Sequence, residues 1–176
     1  MQNVTEILIT NLTAAFSAIE KYGVVGLTSS MLALVVSIAN PKLMGNLEFL
    51  SVEAPVQLVV TVTYVTCFVA GMMTLTTFRV RTKIVEQLRE RNETVTKAAL
   101  MYPSIAAKID TPQLTVLFLP LIVMFVALSV FHADKTDVTI FWLATFAINS
   151  PYIMLLIYGV FVSVSERMLR LSKNDT

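Results

Sequence analysis

Four long apolar runs constrain this chain more than any other feature, because none of them contains Asp, Glu, Lys or Arg. They cover residues 22–39, 56–78, 114–131 and 138–164. Each approaches the roughly 20 residues that an α-helix needs to cross a hydrocarbon core about 30 Å thick. Unpaired backbone groups are costly in lipid, so helices are expected rather than strands. The runs predict an all-α integral membrane protein with four transmembrane helices, forming one membrane domain over residues 1–176.

Composition excludes several function classes. Apolar residues make up 56% of the chain and charged residues 14%, and the net charge is only +1. Without a strong basic field, nucleic acid is not an expected partner. The single cysteine, Cys67, lies inside an apolar run and cannot form an internal disulfide. The expected surroundings are therefore a lipid bilayer, in an inner or plasma membrane.

Basic residues predict the orientation, because cytoplasmic loops of membrane proteins are enriched in Lys and Arg. If the four runs alternate in direction, the loops at 40–55 and 132–137 contain only Lys42 and Lys135. The middle segment and the C-terminal tail contain ten bases: Arg79, Arg81, Lys83, Arg89, Arg91, Lys97, Lys108, Arg167, Arg170 and Lys173. Both termini, the middle segment 79–112 and the tail 165–176 are therefore expected to be cytoplasmic.

The middle segment is expected to be a short helical hairpin. No Gly or Pro interrupts residues 79–91, so the second span should continue beyond the membrane as a helix. Asn92 can cap a second short helix that stops before Pro103. Three bases near the membrane, Arg79, Arg81 and Lys83, belong either to a solvated face or to a surface that contacts anionic lipid headgroups.

Residues 1–21 are expected to form an amphipathic helix. Its narrow polar face consists of Glu6, Thr10, Thr13, Ser17 and Glu20, spaced three and four residues apart. A helix lying on a membrane usually carries Lys or Arg on that face, whereas this one carries two glutamates. Three interpretations stay open: a helix lying at the bilayer surface, a helix buried against protein with its polar face toward water or a gated conduit, and a disordered leader.

Small residues recur at helical spacing along the first two spans. In lipid, such faces allow close approach of helix backbones, so packing is the expected role. Lining of a narrow uncharged conduit is the alternative, and the hydroxyl groups can also bond to their own helix backbone. The residues concerned are Gly26, Ser30, Ala33 and Ser37 in the first span, and Thr63, Thr66, Thr74 and Thr77 in the second.

The most polar point at membrane depth is predicted at Asn149, Ser150 and Pro151. A proline inside a helix removes a backbone donor, which leaves the carbonyl of Ala147 without its usual partner. Satisfaction of this carbonyl by neighbouring helices is the expected outcome. A substrate or ion site on a broken helix is the alternative.

No motif indicates catalysis, a cofactor or a metal. The chain has no His-Glu-x-x-His, no cysteine pair, no phosphate-binding glycine loop and no nucleophile elbow. Its one histidine, His132, is expected at a membrane interface rather than in a metal site. Proton pumping is disfavoured because no ionisable residue other than tyrosine and cysteine lies within the spans. The chain is therefore not expected to be an enzyme.

Four spans with cytoplasmic termini and a leading amphipathic helix resemble the general plan of connexins and innexins, although the paired extracellular cysteines of those channels are absent. The plan is also similar to that of small bacterial immunity proteins against pore-forming colicins. No motif carries either resemblance. Two functions are therefore expected: a homo-oligomeric assembly with channel or pore activity, or an accessory or inhibitory, immunity-like subunit that binds another membrane protein.

Overall fold

A computed structural model of the chain describes residues 2–39, 46–47, 52–101, 104, 111–132 and 138–174. Within these residues the chain is helical apart from one short strand pair. The helices are α1 (Gln2–Ala39), α2 (Val56–Arg91), α3 (Glu93–Ala99), α4 (Thr111–His132) and α5 (Val138–Asn174). Predictions that concern Lys42, Lys108, Lys135 and the predicted loop after His132 fall outside the described residues. The same holds for the side chains of His132 and of residues 165–176.

Three of these helices are long and apolar enough to cross a membrane, over Val4–Ala39, Leu58–Arg91 and Thr145–Val164. The apolar stretch described in α4, Phe118–Ser129, is shorter. The predicted helical class is confirmed, with three helices that could span a membrane. The crossing by α4 stays a prediction.

The predicted N-terminal helix and first span are a single helix, α1. At 1.5 Å per residue its 38 residues extend about 57 Å, almost twice the thickness of a hydrocarbon core. Gly23 does not interrupt it. Leu12, Phe16 and Ile19 are almost fully buried, so the first half of α1 packs against protein instead of standing alone.

The strand pair was not predicted. β1 (Asn46–Leu47) and β2 (Val52–Pro55) pair antiparallel between α1 and α2. We call the end of the bundle nearest this pair the strand end. The opposite end, made by residues 2–21 of α1, residues 79–91 of α2 and α3, is the N-terminal lobe.

The four long helices close into a ring in the order α1, α2, α5, α4, each packed mainly on its two ring neighbours. α1 and α2 run antiparallel. A Cβ on Gly26 would lie 3.7 Å from the Cβ of Ala70, and Val36 shares a cluster with Val60. Moving one residue forward along α1 therefore corresponds to moving one residue back along α2. Extending this register places Glu6 opposite the last turn of α2.

The core changes character along the bundle axis. Toward the N-terminal lobe it is a large apolar cluster of aliphatic and phenyl side chains from all four long helices: Leu12, Phe16, Ile19, Leu75, Phe78, Ile84, Val85, Leu88, Phe118, Leu155 and Val162. Toward the strand end it contains smaller and more polar buried residues: Ser30, Ala33, Ser37, Thr63, Cys67, Thr145 and Asn149. The two halves meet near Tyr152.

Candidate functional site

Tyr152 of α5 occupies the centre of the ring and is 1% exposed. Its hydroxyl donates to the backbone carbonyl of Cys67 at 3.0 Å, and the Cys67 thiol lies 3.7 Å from the same hydroxyl oxygen. Two glycines make room for the phenol. A Cβ on Gly26 of α1 would overlap the hydroxyl, and a Cβ on Gly71 of α2 would lie 2.7 Å from the ring. Tyr152 thus joins three helices across the bundle.

The predicted polar break at Pro151 is satisfied within α5. Pro151 supplies no amide to the carbonyl of Ala147, but the Ser150 hydroxyl donates to that carbonyl at 2.8 Å. The helix continues to Asn174. The donor to the freed carbonyl is therefore the adjacent serine of the same helix, where a neighbouring helix was expected.

Asn149 and Thr145 lie one helical turn apart on the buried face of α5 and are 3% and 4% exposed. The Asn149 amide nitrogen donates to the Thr145 carbonyl at 3.0 Å. Neither the Asn149 Oδ1 atom nor the Thr145 hydroxyl has a hydrogen-bond partner in the described part of the chain. Tyr152 follows one turn later on the same face, so three polar side chains form one stripe.

Most of the small-residue faces are used inside the protomer. Gly26, Ser30, Ala33 and Ser37 of α1 are buried, as are Thr63 and Thr74 of α2, whereas Thr66 and Thr77 are partly exposed. Each of the six hydroxyl groups in this set donates to a carbonyl three or four residues earlier in its own helix, at 2.7 to 2.8 Å. These hydroxyls therefore satisfy themselves locally while their faces pack.

The polar face predicted for residues 1–21 points away from the bundle. Glu6, Thr10 and Ser17 are exposed, and Thr13 and Glu20 are partly exposed. Thr10 and Thr13 donate to backbone carbonyls one turn earlier, at 2.9 to 3.1 Å. The same side of α1 continues beyond residue 21 with exposed apolar residues, which include Val24, Met31, Val35 and Ile38. The exposed side chains on this side therefore change from polar to mostly apolar near residue 24.

The three basic residues at the start of the N-terminal lobe lie on two different faces of α2. Arg79 and Lys83, one turn apart, are exposed, and the Arg79 guanidinium lies 5.9 Å from the centroid of the Tyr158 ring. Arg81 is fully buried, with its guanidinium 5.9 Å from the Phe78 ring centroid. Burial removes Arg81 from the set that can reach lipid headgroups in this structure.

Sequence reasoning missed Tyr152 and Gly71. A tyrosine inside an apolar run resembles any aromatic residue of a span, and Gly71 did not belong to the threonine stripe of α2. The available signal was the pair of glycines, Gly26 and Gly71, since a glycine inside a transmembrane helix often marks a close contact.

Among the described residues, no three His, Cys, Asp or Glu side chains lie close enough together to hold a metal ion. Comparison of the chain with protein-family models, with curated proteins and with solved structures found no match.

Proposed function

We propose that this chain is a non-enzymatic, four-span membrane protein that acts as a homo-oligomer, with its N-terminal lobe in the cytoplasm. A fourth crossing is consistent with α4, whose 22 residues extend about 33 Å. The core is packed around Tyr152, Met124 and Leu128, all at most 1% exposed. A path for ions or solutes would then lie between copies and not through one bundle.

The proposal rests on apolar exposure at the end of α1 that lies farthest from the predicted span at 22–39. Val4 and Ile7 are 42% and 52% exposed on the first turns of α1. Ile7 precedes Gly23 by 16 residues, about 24 Å along a helix. At that distance a helix that continues straight out of the bilayer cannot rest these side chains in lipid. Protein is the remaining apolar cover.

Charge favours a second copy as that protein. Glu6 is exposed beside Ile7, and the two residues line a groove together with Thr10 and Asn11. The α1–α2 register places Glu6 at the height of the last turn of α2, where Arg89 is exposed. In a ring of copies about the membrane normal, Glu6 of one lobe would meet Arg89 of the next at equal height.

Charge exchange tests this contact. Glu6→Arg and Arg89→Glu should each weaken association of the purified protein in lipid nanodiscs, and the double variant should restore it, because opposite charges again face each other. Lys97→Glu, a reversal on the exposed face of α3, is the control that should leave association unchanged. Equal weakening by all three reversals, without rescue, would refute the contact.

The same measurement of association distinguishes self-assembly from the second candidate function, an accessory subunit that binds another membrane protein. A wild-type chain that stays monomeric in nanodiscs, but is recovered from its native membrane in a defined complex with a different protein, would replace self-assembly by the accessory role. The exposed Val4 and Ile7 would then be the first surface to map on that complex.

A further inference from the structure

Two buried polar atoms in the core lack a hydrogen-bond partner among the described residues, and the proposed assembly does not explain them. Asn149 Oδ1 and the Thr145 hydroxyl are buried without a partner in the described residues. Both lie in a stretch that is long and apolar enough to cross a membrane. Buried polar groups in proteins are nearly always hydrogen-bonded, to protein or to ordered water. In lipid an unmade bond is costly, because no bulk water can replace it.

The spacing of the two groups fits a single bridging molecule. Side chains four residues apart on a helix have Cβ atoms about 5–6 Å apart. A water molecule placed between them would accept from the Thr145 hydroxyl and donate to Asn149 Oδ1, leaving its second hydrogen for a further acceptor. Water is favoured over a cation because both groups are neutral and one of them is a donor.

The residues that surround this pair differ on the two sides of Tyr152. On the N-terminal side, Tyr152 closes the stripe, and its own hydrogen goes to the Cys67 carbonyl. Beyond it the buried face of α5 continues with Leu155 and Val162, in the large apolar cluster. On the strand-end side of Tyr152 the buried polar residues include Ser37 and Thr63, whose hydroxyls bond within their own helices. The same side also holds an apolar cluster around Tyr152, so Thr145 and Asn149 form a polar pair in mixed surroundings.

We infer that Thr145 and Asn149 hold an internal water between the helices, one turn from Tyr152 on its strand-end side. This site goes beyond the proposed assembly, since it lies inside one bundle and needs no second copy. The water is confined to this pair, and the apolar cluster that contains Phe16, Phe78 and Leu155 is dry.

Hydroxyl-radical labelling by X-ray radiolysis of the protein in nanodiscs tests the site, because radicals form from water held inside a protein as well as from bulk water. The reporter is Tyr152, and the dry references are Phe16 and Phe78, all at most 1% exposed. Protection is the labelling rate in the denatured chain divided by the rate in the bilayer. We expect protection at Tyr152 to be several-fold lower than at either phenylalanine, despite equal burial.

Matched variants assign the water to this pair. Thr145→Val, which keeps the shape but removes the hydroxyl, should raise protection at Tyr152 several-fold, whereas Thr145→Ser should leave it low. Thr63→Val is the control, since the Thr63 hydroxyl already bonds to the Val60 carbonyl at 2.8 Å. The inference is overturned if Tyr152 is as protected as Phe78 in the wild-type protein, or if Thr145→Val and Thr63→Val have equal effects.

Discussion

Tyr152 lies against two glycines, and its hydroxyl group should determine how the protein tolerates alanine at one of them. An alanine at position 26 would place its Cβ onto the Tyr152 hydroxyl, while the nearest ring carbon stays at an ordinary 3.4 Å. An alanine at position 71 would instead press on the ring, 2.7 Å from Cε2, and on Pro151, 3.1 Å from its Cβ. The hydroxyl is therefore the obstacle at Gly26 and the ring is the obstacle at Gly71.

The magnitudes follow from these distances. Overpacking a filled core costs about 1–3 kcal/mol, and replacing Gly by Ala inside a helix returns about 1 kcal/mol. Gly26→Ala should thus lower the free energy of unfolding by up to about 2 kcal/mol. Tyr152→Phe alone should cost about 0.5–1.5 kcal/mol for its lost hydrogen bond. In the Tyr152→Phe background, Gly26→Ala should be neutral or stabilising, so its coupling to Tyr152 should be about 1–3 kcal/mol.

Gly71→Ala is the matched comparison, because the phenylalanine ring still obstructs it. Its coupling to Tyr152→Phe should stay within about 0.5 kcal/mol of zero. Reversible unfolding in mixed micelles, with helicity followed by circular dichroism as the fraction of dodecyl sulfate rises, measures all the required variants. Equal coupling at the two glycines, or none at Gly26, would refute the placement of Tyr152 between α1 and α2.

Three further predictions concern the helices around this centre. Ser150→Ala should lower the free energy of unfolding by about 1–3 kcal/mol, because it removes the donor to the carbonyl freed by the proline. Ser129→Ala should lower it clearly less in the same assay, because the Phe125 carbonyl that accepts from the Ser129 hydroxyl also accepts from a helix amide. Asn92→Ala removes the side-chain cap of α3 and should cost about 1 kcal/mol locally, seen as faster hydrogen exchange confined to α3; unchanged exchange would contradict the cap. Phe16→Ala should cost about 3–5 kcal/mol and speed exchange over the first half of α1. Ser17→Ala, at an exposed position of the same half of the helix, should change stability by less than about 0.5 kcal/mol; similar effects of the two would place that half of α1 off the bundle.

The helices themselves were predictable because lipid leaves a chain few options. Charge-free runs must pair their backbone groups internally, and the runs at 56–78 and 138–164 lie within α2 and α5. The cap at Asn92 was also predictable, since an asparagine that precedes a short polar helix has a defined bonding role. In these places the local chemistry alone determines the structure.

The first half of α1 needed tertiary information. Its wide apolar face fits a lipid surface and a protein surface equally well, and its acidic polar face only weakens the first option. The structure decides through Phe16 and Ile19, which join the cluster that contains Phe78 and Leu88 of α2. The length of the α2 extension is what makes that packing possible.

Arg81 shows a signal that was present in the sequence but not read. Arg79 and Lys83 are four residues apart and share a face, whereas Arg81 lies two residues from each and so points away from them. It falls on the line of Phe78, Val85 and Leu88, spaced three and four residues apart, which is the buried face of α2. Grouping the bases by proximity along the chain concealed this.

The small-residue faces show the opposite limit. Their spacing predicted packing, and Ala33, Ser37 and Thr63 do pack inside the protomer. A face of this kind looks alike whether its partner belongs to the same chain or to another, so the sequence could not separate the two. Because these faces are filled within one bundle, contacts between copies must use other surfaces, of which the exposed end of α1 at Val4 and Ile7 is the one we propose.

Native mass spectrometry of the protein released from nanodiscs can show whether copies of this chain associate through their N-terminal lobes. We expect one defined multiple of the chain mass, and we expect the double substitution of Val4 and Ile7 by Ser to shift it to the monomer while the helical content is retained. A monomer in the wild-type protein, or a multiple that survives this double substitution unchanged, would contradict it.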